Sequence, residues 1–270
     1  MMGQRFERSR WTRQGRMVLN LARNDFRVRY AGSYFGIFWA FIQPVITILV
    51  YWFVFSVGFR ASTGELGIPF VLYLVAGIVP WFFFQEALTG GTNSLVEYHY
   101  LVKKVVFNIS VLPVVKLISA LFVHGFFVLF TVVLFAAYGR FPDLYDLQLI
   151  YYSFGVFFLT LGLCYATCAV VVFFRDLQQI ISILLQVGVW LTPIMWVSET
   201  MLADKPVLLK ILRLNPMYYI VSGYRDCFIV KRWFWEQPGW TCYFWCFAVA
   251  AFVFGRWIFK RLRIHFADVL

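Results

Sequence analysis

GIFWAFIQPVITILVYWFVFSVGF, residues 36–59, runs for 24 positions without one charged side chain. As an α-helix it is about 36 Å long, enough to cross roughly 30 Å of bilayer hydrocarbon. Comparable apolar blocks recur at about 68–88, 111–138, 149–174, 177–198 and 240–259. The reading is an all-α membrane protein of six transmembrane helices. Composition agrees: 62% of the 270 residues are hydrophobic and 14% charged, against about 25% charged in a soluble domain. Such a chain has too little polar surface to cover itself with water.

Two segments lie outside the blocks. Residues 1–35 place Trp11, Val18, Leu21, Phe26 and Val28 among Arg13, Arg16, Arg23, Arg27 and Arg29, the mixture of a cytoplasmic amphipathic helix lying in the headgroup region. The first 36 residues hold no short apolar core followed by a small-residue cleavage site, so no removable leader is expected. Residues 199–239 mix charges with PVLLKILRL and MYYIVSGY, pieces too short to cross, which suit re-entrant half-helices on the external side. With the N-terminus inside, most Lys and Arg fall on the cytoplasmic side, as retention of basic loops requires, and six crossings return the basic tail to the same side.

The net charge of +11 reflects that retention rather than nucleic-acid binding, since no nucleic-acid-reading module accompanies it. Ion-coupled transporters need titrating groups at membrane depth, yet the middles of the six blocks carry only His124. A lone histidine there is more often a packing hydrogen-bonder than a relay. No G-x-x-x-x-G-K-[ST] loop is present, so the chain has no phosphate cradle of its own. His99, His124 and His265 are scattered, and the five cysteines sit in apolar surroundings without a nearby His. Neither a metal set nor a catalytic triad emerges. Active transport by this chain requires energy from another subunit.

Four segments carry a family resemblance. RYAGSYFGIFWAFIQP (29–44), GIVPWFFF (77–84), FFRDLQQI (173–180) and LRLNPMYYIVSGYRDCFI (212–229) resemble, in order, permeases of ABC exporters of the second type, in the branch that exports O-antigen, teichoic acid and capsule. The closing RLRIHFADVL is more similar to the O-antigen and teichoic-acid exporters. The resemblance implies a permease subunit, not an enzyme, in a bacterial inner membrane with both termini cytoplasmic. It also implies a homodimer, two separate ABC ATPase subunits that bind the ATP and Mg, and a lipid-linked polysaccharide substrate. No cofactor is expected on this chain. The first and fifth spans of such permeases line the channel, which points to Phe38, Phe41, Tyr51, Phe55, Gln186, Trp190 and Trp196. Aromatic rings suit a sliding sugar chain because they stack on its C–H faces without fixing one linkage. The segment at 92–110 corresponds to the ATPase-coupling helix, with Tyr98, His99, Leu101, Lys103 and Lys104 as contacts; topology retention explains the two lysines equally well. The external gate corresponds to 199–239, where Asn215 and Pro216 make a turn and Arg225 and Asp226 follow. Export of teichoic acid, capsule or another substrate on the same fold, a membrane enzyme acting on a lipid-linked sugar, and a passive channel remain the alternatives.

Overall fold

The structure is a computed structural model that describes residues 2–29, 31, 33–61, 63, 66–102 and 108–269, with backbone alone for 2–14, 102, 267 and 268. Among these residues every regular element is helical. α1 (Met2–Arg29) precedes the first apolar helix α2 (Trp39–Trp52), which a 3-10 turn at Gly36–Phe38 introduces and a π-helical turn at Phe53–Gly58 extends. There follow α3 (Phe70–Glu97), the one-turn α4 (His99–Val102), α5 (Val111–Ala137) and α6 (Gln148–Val171). Then come α7 (Leu177–Leu191), α8 (Ser198–Met201), α9 (Pro206–Arg213), α10 (Pro216–Arg225), α11 (Pro238–Leu262) and α12 (Phe266–Val269).

Helix starts follow local chemistry. Proline occupies the first turn of α9, α10 and α11, where its missing N–H would have had no partner anyway. Asn215 caps α10 by accepting the Met217 amide at 3.0 Å. Ahead of α6, the Asp143 carboxylate accepts the Tyr145 amide at 3.0 Å and Asp146 accepts the Asp143 amide at 3.2 Å, a reciprocal capping box.

Five helical stretches are long and apolar enough to cross a membrane: Gly36–Gly58, Phe70–Glu97, Val111–Ala137, Leu144–Val171 and Pro238–His265. The block at 177–198, expected as a sixth span, is helical for only 15 residues, about 22 Å of rise. It stops at Leu191 because Thr192 is extended (φ −83°, ψ 126°), the conformation that a following proline imposes on its neighbour. Pro193 therefore ends the helix instead of kinking it.

α3 is the hub. Of its most apolar stretch 78% is buried, against 11% for α2, so α3 is walled in by α5, α6, α7 and α10 while α2 lies on the outside with Ile46, Leu49, Val50 and Phe53 bare. α6 and α11 pack along their lengths, brought together at Gly162 and Gly255; small residues are what allow helix backbones to meet in lipid. α1 lies on α5 through Ala22 and an edge-on contact between Phe26 and Phe122 at 5.9 Å. At the end of the bundle where α3 finishes and α5 begins, a smaller cluster of Leu95, Ile109, Leu112, Tyr165, Val172, Phe259 and Phe266 ties α3, α5, α6 and α11 together.

Candidate functional site

A groove of about 1060 Å³ opens along α2, α3 and α7, with α1 across one end. Each of these three helices contributes a row of residues four apart, and hence on one face. α2 gives Gln43, Thr47 and Tyr51; α3 gives Gln85, Thr89, Asn93 and Glu97; α7 gives Gln186 and Trp190. Trp39, Trp81, Phe82, Tyr98 and Tyr100 add further rings to the lining. Side-chain amides and hydroxyls at this density inside an apolar bundle are costly unless something polar meets them.

Of the seven residues expected to line a channel, Tyr51, Gln186 and Trp190 lie in this wall. Phe55 stands beside Trp190, its ring 6.4 Å away, and stacks on Phe70 at 6.0 Å. Trp196 donates its indole N–H to the Trp190 carbonyl at 3.1 Å. Phe41 packs instead against Phe126 of α5 at 4.3 Å, and Phe38 is exposed at the start of α2, outside the groove lining. The polar rows on α2 and α3 escaped the reading by composition; their spacing of four is the signal that reveals them.

The end of the groove under α1 carries a charge cluster. Asp25 and Lys116 are both buried and meet at 2.6 Å. Lys116 also pairs with Glu97, and Arg29 with Glu86 and, at 3.2 Å, with Asp25. Tyr98 donates its hydroxyl to Asp25 at 2.7 Å, and its ring lies 5.1 Å from the Lys116 ammonium. Burial alone would raise the Asp25 carboxyl, but the hydrogen bond and charge of Lys116, with help from Tyr98, hold it below the usual carboxylate value. The cluster joins α1, α3 and α5 where the expected coupling segment begins. There Tyr98 ends α3, His99 turns back to the Val96 carbonyl at 3.1 Å, and Leu101 packs on the smaller cluster of Leu95, Ile109 and Leu112. Lys103 and Lys104 lie outside the described residues.

Lys116→Ala is expected to destabilise the protein by about 2 kcal/mol, less than the 3–5 for stranding a lone buried charge, because Asp25 keeps Arg29 and Tyr98. Unfolding in lipid nanodiscs checks this. The pH sign follows from the depressed folded value of Asp25: its stabilisation is complete above the ordinary 3.8 and is lost as pH falls through the lower folded value. Stability from pH 5 to 8 is thus expected to be indifferent to Asp25, and a midpoint moving within that window in the wild type but not in Asp25→Asn contradicts the pairing.

On the opposite side, α10 is anchored along its length. The buried Arg225 guanidinium donates to the carbonyls of Pro193 at 2.7 Å and Ile194 at 2.8 Å, and lies 3.6 Å over the Tyr73 ring. Those are carbonyls freed where α7 breaks. Asn215 donates to Thr192 Oγ1 at 2.9 Å, so both ends of α10 grip the same break. Tyr73 adds a hydrogen bond to the Trp196 carbonyl at 3.1 Å. Tyr218 bonds Glu199 at 2.9 Å and Ser198 at 2.6 Å; burial would raise Glu199, but its own backbone amide, Tyr218, Ser198 and Arg225 hold it below the usual value. On the far face, the Tyr224 hydroxyl hydrogen-bonds His124 Nε2 at 2.9 Å and Ser153 at 2.6 Å, which gives the lone intramembrane histidine a packing role. Asp226 pairs with Arg232 at 3.4 Å. Burial pushes its carboxyl up to about 6, against the pull of Arg232. α9 differs from α10: Val207, Leu208, Ile211 and Leu214 are all exposed.

A wall of amides, hydroxyls and rings set into an apolar multi-helix bundle, with its ion pairs gathered at one end, defines a multi-pass membrane transport protein. The chain belongs to the ABC-2 type transporter family, whose profile matches residues 17–229. It is similar to an O-antigen export system permease protein of Myxococcus xanthus, 30% identical over 216 residues covering 80% of this chain and 81% of that protein. Two proteins of the same description from Klebsiella pneumoniae are each 27% identical over 261 residues, covering 94% of this chain and 95% of theirs.

Proposed function

We propose that this chain is the membrane-spanning subunit of an ATP-driven exporter that moves a lipid-linked, O-antigen-like polysaccharide across a bacterial inner membrane. The observation that carries the reading is the groove: three polar rows face it, and its charged end joins α1 to the start of the coupling segment. The export systems named for the relatives at 30% and 27% identity give the substrate class. Two copies face each other across α2 and α7, the helices that carry Gln43, Thr47, Tyr51, Gln186 and Trp190 into the groove wall. The two grooves then form one channel. α7 serves as the sixth membrane helix, its 15 residues completed by the clamped segment after Leu191, and α9 with α10 forms the re-entrant external gate. Backbone that is not helical at membrane depth is tolerated where protein satisfies it, and Arg225 supports that placement. A separate ABC ATPase, which carries the ATP and Mg, docks at 92–110; Tyr98 and Leu101 lie beside the cytoplasmic cluster linking four helices.

Reconstitution tests the proposal. Proteoliposomes holding this chain and its ATPase are expected to translocate a radiolabelled lipid-linked glycan on addition of ATP, and the chain alone is not. Tyr98→Ala, which removes one hydrogen bond to Asp25, is expected to lower transport per ATP hydrolysed severalfold while leaving the dimer assembled. Conduction or glycan modification by the single chain would sink the exporter reading.

A further inference from the structure

The charges and polar groups of the groove carry one step further, resting on the exporter reading. Among the described residues five charged side chains line it: Asp25, Arg29, Glu86, Glu97 and Lys116. Both cations are committed. Arg29 holds Asp25 and Glu86, and Lys116 holds Asp25 and Glu97. Among the described residues three carboxylates stand against two cations at the mouth, an excess of negative charge within that set. Deeper in, the wall between α2, α3 and α7 is made of amides, hydroxyls and rings, which exchange hydrogen bonds with hydroxyls and stack on C–H faces but neutralise no charge. Two wall residues also keep polar atoms unanswered among the described residues, the Trp81 indole N–H and the Asn93 side-chain oxygen.

We propose that this groove selects an uncharged glycan: a polymer of hydroxyl-bearing sugars passes, and one carrying a phosphate or carboxylate in each repeat is disfavoured. An anionic repeat entering here loses water, gains no cation and passes three carboxylates at the mouth, and desolvating an unpaired charge is the costliest of these events. A neutral repeat exchanges its hydroxyl–water bonds for the amides of Gln43, Gln85 and Gln186.

The test uses the complete complex of this chain with its ATPase in proteoliposomes. Two probes share one lipid diphosphate anchor: a neutral hexose polymer, and the same polymer with a phosphate on each repeat. The neutral polymer is expected to move at least tenfold faster. Equal rates, or faster movement of the phosphorylated polymer, overturn the selection while leaving the exporter reading in place. Movement of neither, with the ATPase hydrolysing ATP, removes the exporter reading and the selection together. Gln186→Arg and, independently, Gln43→Arg place a cation in the wall, and each is expected to narrow the ratio at least threefold by speeding the phosphorylated polymer. An unchanged ratio in both folded variants assigns the selection elsewhere and overturns the proposal.

Discussion

Arg225→Ala is expected to destabilise the protein by about 4 kcal/mol and to abolish export. The guanidinium makes two hydrogen bonds, at 2.7 and 2.8 Å, to the carbonyls of Pro193 and Ile194, and a bond from a charged donor contributes about 1.5–3 kcal/mol. Among the described residues no other donor reaches these two carbonyls, since α7 has ended at Leu191. In a low-dielectric setting the stranded carbonyls carry their full desolvation cost. The position is also sterically committed, since a Cβ at Gly77 would stand 2.7 Å from Arg225 Nη2, so Gly77→Ala should give a milder form of the same defect. Arg225→Lys, a single ammonium in place of a fork, is expected to recover less than half of the loss. Scanning calorimetry of the nanodisc-embedded protein, with export measured in parallel, checks the series. An alanine variant that melts with the wild type would show that the clamp does not hold the break.

Gly255→Val should be the most damaging substitution in the bundle, costing more than about 3 kcal/mol and removing most folded protein. A Cβ at Gly255 would lie 2.1 Å from the Gly162 carbonyl oxygen, and one at Gly162 would lie 2.6 Å from the Phe252 amide nitrogen. Both obstacles are backbone, so no rotamer change relieves the overlap, and α6 and α11 must separate along the longest helix–helix contact of the fold. Gly125 on α5 is the control. A Cβ there meets nothing within 4 Å, and Gly125→Ala should be neutral or stabilise by up to about 1 kcal/mol through helix propensity. Comparing the monodisperse yield of the two variants after detergent extraction separates close packing from a general intolerance of change. Equal yields would mean that α6 and α11 are not in backbone contact.

The long uncharged blocks, the basic lead-in and the motif order were all legible in the chain. A run such as residues 36–59 has one physical option in lipid, a helix that satisfies its own backbone, and that constraint acts locally. Turn chemistry is equally local, which is why Asn215 and Pro216 are readable as a helix start. The groove was only half legible. Tyr51, Gln186 and Trp190 were reachable through family likeness, and the polar rows on α2 and α3 through their spacing. That the three helices bring those rows into one wall depends on the crossing of α2 and α7 over α3, which no window of sequence contains. The ion-pair cluster is a product of folding in the same way: Asp25 and Lys116 are 91 positions apart, and Arg29 and Glu86 are 57. The sequence by itself determined that this is a helical membrane protein with a basic lead-in and a basic tail, because hydrophobic length and charge placement are properties of contiguous residues. Tertiary structure alone decided what answers the carbonyls freed where α7 ends, because the partner that caps them, Arg225, arrives from a helix more than thirty residues away.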